Sequence, residues 1–201
     1  ACAFTSEEFL NSLEIPKNLN IAVMLNASDL VHNNEFNYDN LNELIPVKAK
    51  YSRVKLVRVA CHTEDINHIL PLFNFLDNYG YLSAYNITQV SENSSEDLDK
   101  IALTLSSSKV KIIYFADSLG SLAPHQIREV ASSIRKHWSG PIGIHAHDNK
   151  GLALSNTLEA INSNITWLDS TITGIGRGPG NAKTEELVIE LNKEKKNKLN
   201  L

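Results

Sequence analysis

The sequence has few of the features that would place a protein in a membrane, on nucleic acid or in an oxidising compartment. Its two cysteines form no disulfide framework, so a cytoplasmic location is the default expectation. No apolar run approaches the roughly 20 residues that a membrane span needs, and the start of the chain lacks the regions of a signal peptide. A net charge of -4 without a basic stripe gives no footprint for nucleic acid. We therefore expect a cytoplasmic protein that binds neither nucleic acid nor membrane.

The chain does have the length and apolar content for a substantial core. It contains 201 residues, of which 42% are hydrophobic, and no linker divides it. We expect one catalytic domain over residues 1–192, followed by a solvated tail rich in Lys and Asn over residues 193–201. The sequence is compatible with a homo-oligomer and does not define the oligomeric state.

Apolar runs rich in Val, Ile and Leu alternate with segments of helical period, which indicates repeated β/α units around a parallel sheet. The predicted strands are Ile21–Asn26, Val54–Ala60, Leu82–Thr88, Val110–Ala116, Ile142–His147 and Trp167–Thr173. The predicted helices are Ile66–Tyr79, Ser95–Leu105, Pro124–Trp138, Leu152–Ile161 and Thr184–Leu191, with a weaker one over Asn34–Leu44.

Polar residues collect at the carboxyl ends of these strands, which bears on the choice between an open sheet and a closed barrel. A barrel draws its site from the ends of many strands, whereas an open sheet concentrates ligands at one switch point. The polar residues are spread evenly over the ends of the predicted strands, which favours an α/β fold of the (β/α)8 TIM-barrel type. About six units are visible, so we expect the barrel to be incomplete, with two units preceding Ala1. The polar residues are Asn26, Arg58, Asn86, Asp117, Ser118, His145, His147 and Asp169.

The segment Gly143–Asn149 carries the most specific chemical pattern. On a strand, Gly143, His145 and His147 share one face, and the apolar residues between them face the helices. Two structural histidines are the alternative. We favour metal binding, because imidazoles beside oxygen donors suit Mn²⁺, Fe²⁺, Zn²⁺, Co²⁺ or Mg²⁺. Asn181 closes a glycine-rich loop and adds an oxygen donor. A dinucleotide-binding loop is excluded by spacing, because Pro179 stands where a third glycine is needed.

Ser118 and Arg58 are the candidates for substrate contact. Ser118 follows a buried strand and offers a hydroxyl or N–H to a carboxylate, although an ordinary turn explains the segment equally well. Arg58 alternates with valines, so its guanidinium lies inside if the valines meet the helices. A buried Arg needs a partner, which is either Asp169 in a structural ion pair or a substrate carboxylate.

Taken together, these segments resemble the DRE-TIM metallolyases, a family that includes 3-hydroxy-3-methylglutaryl-CoA lyase. The resemblance is strongest to its 4-hydroxy-2-oxovalerate aldolase branch. It implies that His145 and His147 bind a divalent ion, usually Mn²⁺ or Mg²⁺. It also implies that Asn181 matches a further ligand position and that Ser118 matches a contact to the 2-keto acid substrate. The matching segments are Val57–His62, Asp117–Gly120, His145–Asn149, Gly151–Asn156 and Asp169–Ala182, with Glu185 and Glu186.

The resemblance implies a lyase: a metal-dependent aldolase that cleaves or forms a carbon–carbon bond next to a 2-keto acid through a pyruvate enolate. The family's first strand carries Asp-X-Thr-Leu-Arg-Asp, with a metal-binding Asp and an Arg that stabilises the enolate. This chain has no such stretch, so we expect that Arg and the general base upstream of Ala1 and expect the chain as given to be inactive. The alternatives are an acyl-CoA-dependent synthase of the isopropylmalate or homocitrate type, and a catalytically inert fragment. The aldehyde or acyl partner and the pathway are not defined.

Overall fold

Helices and strands alternate along the chain in a computed structural model that describes residues 6–32 and 35–195. The strands are β1 (Ile21–Asn26), β2 (Val31–His32), β3 (Glu35–Phe36), β4 (Val54–Cys61), β5 (Leu82–Ile87), β6 (Ile112–Asp117), β7 (Ile142–Ala146) and β8 (Trp167–Leu168). The helices are α1 (Glu7–Ser12), α2 (Tyr38–Leu44), α3 (Ile66–Tyr79), α4 (Ser95–Ser106), α5 (Pro124–Arg135), α6 (Ala153–Asn162) and α7 (Thr184–Lys195). No helix among the described residues is long and apolar enough to cross a membrane.

Six strands form one sheet, in which neighbours follow chain order from β1 through β4, β5, β6 and β7 to β8. The pairs β1–β4, β6–β7 and β7–β8 are parallel, and β2 and β3 form a separate antiparallel pair. Each strand of the large sheet is followed by a helix. This order is that of six successive units of a (β/α)8 barrel, which confirms the predicted incomplete barrel.

The described part of the chain divides into two compact units. The first contains the residues up to Asn86 together with Thr104–Ile112, and the second contains Ile87–Leu103 and the residues from Ile113 onward. In the first unit, the rings of Phe73 and Tyr85 pack in the core with centroids 6.2 Å apart. The second unit contains β6 from Ile113 onward, and every residue of this strand is buried, as expected for a parallel strand covered by helices.

The helix α3 has the bounds that its sequence predicts. Its buried residues recur with the helical period. The helix ends at Gly80, where a φ of 81° allows the backbone N–H to bond back to the carbonyl groups of Leu76 and Asp77. Periodicity and a glycine cap are therefore sufficient to define this element.

The strand predicted over Trp167–Thr173 is wrong in extent, because β8 ends at Leu168. A 3₁₀ turn follows over Ile172–Gly174, and Thr173 within it has a φ of 56°, which is incompatible with a strand. The chain therefore leaves the sheet early and forms an irregular loop before α7.

The helix predicted over Asn34–Leu44 begins later, at Tyr38. The side-chain oxygen of Asn37 accepts hydrogen bonds from the backbone N–H groups of Asp39 and Asn40 and so caps the helix. Asn34 lies outside the described residues.

At the other end of the chain, α7 continues to Lys195. The predicted tail over residues 193–201 lies mostly outside the described part, so the predicted domain limits stay a prediction.

Candidate functional site

His145 and His147 lie at the carboxyl end of β7 with their rings on the same side of the strand. The ring centroids are 5.0 Å apart, and the ring planes meet at 79°. The flanking Ile144 and Ala146 are buried, whereas both histidines are half-buried. The two imidazoles therefore share one face, as the alternation along the strand predicts.

The carboxylate of Asp169 holds the ring of His145. The Nδ1 atom of His145 lies 2.9 Å from Oδ2 of Asp169. The register of the sheet explains this contact: Ile144 pairs with Leu168, so the next residue on each strand is a neighbour of the other. With Nδ1 bound to a carboxylate, Nε2 is the ring nitrogen that can bind a metal ion.

The position of Asn181 is set by the loop that follows β8. An antiparallel bridge joins the backbones of His147 and Asn181, and the Asp148 N–H donates to the Gly180 carbonyl group at 2.9 Å. Residues that are directly opposite in an antiparallel bridge project their side chains to the same face. The amide of Asn181 and the imidazole of His147 therefore lie on the same side.

Two glycines allow the loop to close around Asn181. A Cβ atom on Gly180 would overlap the Gly174 carbonyl oxygen, and Gly180 has a φ of +98°. A Cβ atom on Gly176 would overlap the amide nitrogen of Asn181. The spacing of these glycines is therefore a packing requirement of the loop, rather than a sign of a flexible surface segment.

The amide of Asn181 is oriented, and its oxygen is unsatisfied. Its Nδ2 atom donates to the Ile175 carbonyl group at 3.1 Å, while its Oδ1 atom is buried and has no hydrogen-bond partner among the described residues. The residue as a whole is 7% exposed. A buried acceptor without a partner costs about 1–3 kcal/mol. A bound cation or hydrogen-bond donor at Oδ1 would remove this cost.

These donors fit part of a divalent-metal site. Within residues 6–32 and 35–195, no cluster of three His, Cys, Asp or Glu side chains can hold a metal ion. The available donors are two imidazoles, from His145 and His147, and the amide oxygen of Asn181. Imidazole nitrogen and neutral oxygen donors suit the divalent ions predicted from the sequence. Because all three donors are neutral, the negative charge that balances the ion would have to come from another ligand.

The surroundings of His147 favour its neutral form. Burial lowers the pKa of its imidazole, and the nearby His145 and Arg177 lower it further, while Asp117 acts in the opposite direction. The neutral ring has the lone pair that a metal requires. Asp117 itself is fully buried, and its carboxylate accepts the backbone N–H groups of Ser121 and Leu122, so it organises the turn after β6.

Ser118 occupies the start of this same turn. Its Oγ atom accepts a hydrogen bond from the backbone N–H of Gln89 at 2.9 Å, and Gln89 has a left-handed φ of 49°. An accepting hydroxyl group still has its own proton to donate. The contact therefore leaves Ser118 able to bind a carboxylate, and its role in substrate binding stays a prediction.

Arg58 belongs to the first unit, where it makes a hydrogen bond that the sequence did not predict. Its Nη2 atom donates to Oδ1 of Asn86 at 2.9 Å, and Asn86 is buried. Both residues lie near the carboxyl ends of predicted strands that are neighbours in the sheet, so this placement could have suggested the pair. The proposed contact of Arg58 with a substrate stays a prediction.

Cys61 at the end of β4 has the character of a structural residue. It is 2% exposed, and burial raises the pKa of its thiol to about 12. Because the thiolate is the nucleophilic form, this cysteine is inert at neutral pH. The neighbouring His62 side chain is exposed.

Comparison with known proteins gives one consistent family. The family model described as HMGL-like matches residues 6–201. The 4-hydroxy-2-oxovalerate aldolases of Geobacillus genomosp. 3 and Carboxydothermus hydrogenoformans are 31% and 32% identical over 73% and 74% of this chain. The chain spans less than half the length of these relatives, 43% and 44% respectively.

Solved structures share the fold. The N-terminal domain of a Bacteroides vulgatus protein named as an aldolase has a TM-score of 0.79 at 28% identity, over 91% of this chain and 58% of that one. The HMG-CoA lyase of Bacillus subtilis has a TM-score of 0.73 at 17% identity, over 92% and 66%. The carboxyl transferase domain of Rhizobium etli pyruvate carboxylase has a TM-score of 0.72 at 17% identity, over 88% and 31%. At 17% identity, the similarity to the last two structures supports a shared fold and nothing further.

Proposed function

Because this chain belongs to the HMGL-like family, we propose that it carries the metal-binding part of a lyase that cleaves or forms a carbon–carbon bond next to a 2-keto acid. The observation that carries the proposal is the buried Oδ1 atom of Asn181, which has no hydrogen-bond partner in the described part of the chain and lies on the same side as His147. The relatives named 4-hydroxy-2-oxovalerate aldolase support a 4-hydroxy-2-keto acid as the substrate class.

His145, His147 and Asn181 are the residues that would hold the ion, for which we propose Mn²⁺ or Mg²⁺. When bound, a divalent ion supplies Lewis-acid stabilisation of the negative charge that develops next to the keto group. The donor atoms would be held in place before the ion binds: Asp169 orients His145, burial favours the neutral form of His147 by lowering its pKa, and the Ile175 carbonyl group accepts from the amide of Asn181. Little reorganisation is then needed when the ion binds.

Substrate contacts are proposed for Ser118 and Arg58, each within its own unit. Ser118 can donate its hydroxyl proton to the carboxylate of a keto acid while Oγ accepts from Gln89. Arg58 offers a cation that Asn86 holds through one guanidinium nitrogen. The base that removes the proton from the 4-hydroxyl group is not assigned among the described residues.

Metal binding is tested first, by calorimetric titration of the chain with MnCl₂. We expect micromolar affinity for the unaltered chain and a loss of about 10-fold or more in both His145→Ala and His147→Ala. His125→Ala is the matched control, because it removes an exposed imidazole from α5 and should leave the affinity unchanged. An unaltered chain that binds no Mn²⁺, or a His145→Ala variant with full affinity, contradicts the proposal.

The reaction is tested in two assays with different substrates. Release of pyruvate from a 4-hydroxy-2-keto acid in the presence of Mn²⁺ supports the aldolase. Release of free CoA from acetyl-CoA and a 2-keto acid supports the alternative synthase instead. Tight Mn²⁺ binding with neither reaction would agree with the expectation that the chain as given is inactive, and would leave the metal-binding part of the proposal standing.

A further inference from the structure

We propose that Asp169 is a positioning residue, which holds the His145 imidazole in the one neutral form that can bind a metal ion through Nε2. This inference rests on the proposed metal site. The observation behind it is the 2.9 Å contact between Nδ1 of His145 and Oδ2 of Asp169.

The carboxylate reaches His145 from a fixed backbone. Asp169 directly follows β8, and its backbone N–H donates to the carbonyl group of Ile144, the residue that precedes His145, at 3.0 Å. The sheet hydrogen bond and the side-chain contact therefore join the same two strand ends. The side chains of His145 and Asp169 are 27% and 21% exposed, so both are largely shielded from solvent.

The chemistry of the two groups determines which nitrogen carries the proton. A neutral imidazole has one N–H and one lone pair, and an ionised carboxylate can only accept. The nitrogen that faces Asp169 must therefore carry the proton, which leaves the lone pair on Nε2.

The effect is specific to one of the two imidazoles. His147 is positioned by its backbone bridge to Asn181 rather than through the Asp169 contact. Loss of the Asp169 carboxylate is therefore expected to change the protonation pattern of His145 and to leave that of His147 as it is.

The first test measures the protonated nitrogen directly and needs no metal. Uniformly ¹⁵N-labelled chain is studied by long-range ¹H–¹⁵N correlation at mildly alkaline pH, and the His145 signals are assigned by their loss in His145→Ala. We expect the Nδ1–H form in the unaltered chain and a shift toward the Nε2–H form in Asp169→Asn, as loss of a carboxylate partner permits. An Nε2–H form in the unaltered chain overturns the proposal without any variant.

The second test measures Mn²⁺ affinity by calorimetry in the same proteins. Asp169→Asn is expected to bind about 10–100-fold more weakly than the unaltered chain, the range that is typical for loss of such a partner. Glu159→Gln is the matched control, because it removes a carboxylate that pairs with Arg128 on the surface of the same unit. Circular dichroism of both variants shows whether the fold is retained.

The outcomes separate this inference from the proposed function. An unaltered chain that binds no Mn²⁺ rejects the proposed metal site, while the protonated nitrogen of His145 still decides the role of Asp169. Asp169→Asn with an unchanged protonation pattern and unchanged affinity overturns the positioning role and leaves the metal site standing.

Discussion

Gly120 lies directly against the backbone of Asn149: a Cβ atom on Gly120 would come within 2.7 Å of the Asn149 nitrogen. The same Cβ would lie 2.9 Å from the His147 carbonyl oxygen, and Gly120 has a φ of +55°. The two residues follow β6 and β7, so this contact joins the loop that carries Ser118 to the end of the strand that carries the histidines. A small residue at position 120 is thus a condition for the arrangement of the second unit.

Replacement of Gly120 by Ala is expected to cost about 2–4 kcal/mol of unfolding free energy, because left-handed strain and steric overlap add. Gly151→Ala separates the two effects, since Gly151 has a φ of +66° but no atom of the described residues lies within 4 Å of an added Cβ. That control should lose only about 1–2 kcal/mol. Urea unfolding of both variants provides the measurement, and equal losses would show that the contact with Asn149 contributes nothing.

Asn181→Asp tests the amide oxygen at the proposed metal site. The new carboxylate would be buried beside the Ile175 carbonyl group, so the metal-free variant should lose about 1–3 kcal/mol of stability. Mn²⁺ should restore it, because a ligand that binds only the folded state stabilises that state. The rise in melting temperature on addition of MnCl₂ is therefore expected to be larger in the variant than in the unaltered chain.

Asn156→Asp is the matched control for this prediction. Asn156 on α6 is 1% exposed, donates its Nδ2 to the Leu122 carbonyl group, and also has an Oδ1 atom without a hydrogen-bond partner in the described part of the chain. We expect a comparable loss of stability and no restoration by Mn²⁺. If Mn²⁺ restores the stability of both variants, or of neither, Asn181 is not a ligand of the metal ion.

The buried thiol of Cys61 makes the stability of the first unit sensitive to alkaline pH. Its pKa is raised from 9.0 to about 12, chiefly by burial. The unfolded state ionises first, so the contribution is fully present below pH 9 and is lost as the pH rises toward about 12. The complete loss corresponds to about 4 kcal/mol, at about 1.4 kcal/mol per pH unit.

The measurement compares the free energies of unfolding of the Cys61 protein and Cys61→Ala, both in a Cys2→Ser background. The advantage of the Cys61 protein should be constant below pH 9 and shrink above it. A difference that stays constant above pH 9 would mean that the thiol ionises equally easily in the folded and unfolded states.

Much of the fold could be predicted because its elements leave strong periodic patterns. Six strands were found as apolar runs, since parallel strands covered by helices bury both faces. The short elements α1, β2 and β3 left no pattern that would distinguish them from loops. Their two to six residues are fewer than a period needs to become visible.

The candidate site was predictable only in the part that depends on strand parity. Alternation placed His145 and His147 on one face, and no longer-range information was needed. The contact of His145 with Asp169 depends on register between β7 and β8, and the bridge from His147 to Asn181 depends on a loop that turns back through a positive φ at Thr173. Such geometry comes from tertiary contacts, which local sequence does not encode.

The strand β1 has a practical consequence for the chain on its own. None of its six residues is buried, and among the described residues it pairs in the sheet with β4 alone. A free strand edge of Ile, Val and Leu is a template for pairing with other chains, so concentrated solutions should aggregate from this strand. Met24→Lys, at a position that is 50% exposed, should reduce the aggregation measured by light scattering. The control is Leu103→Lys at an exposed position on α4, which should leave the aggregation unchanged.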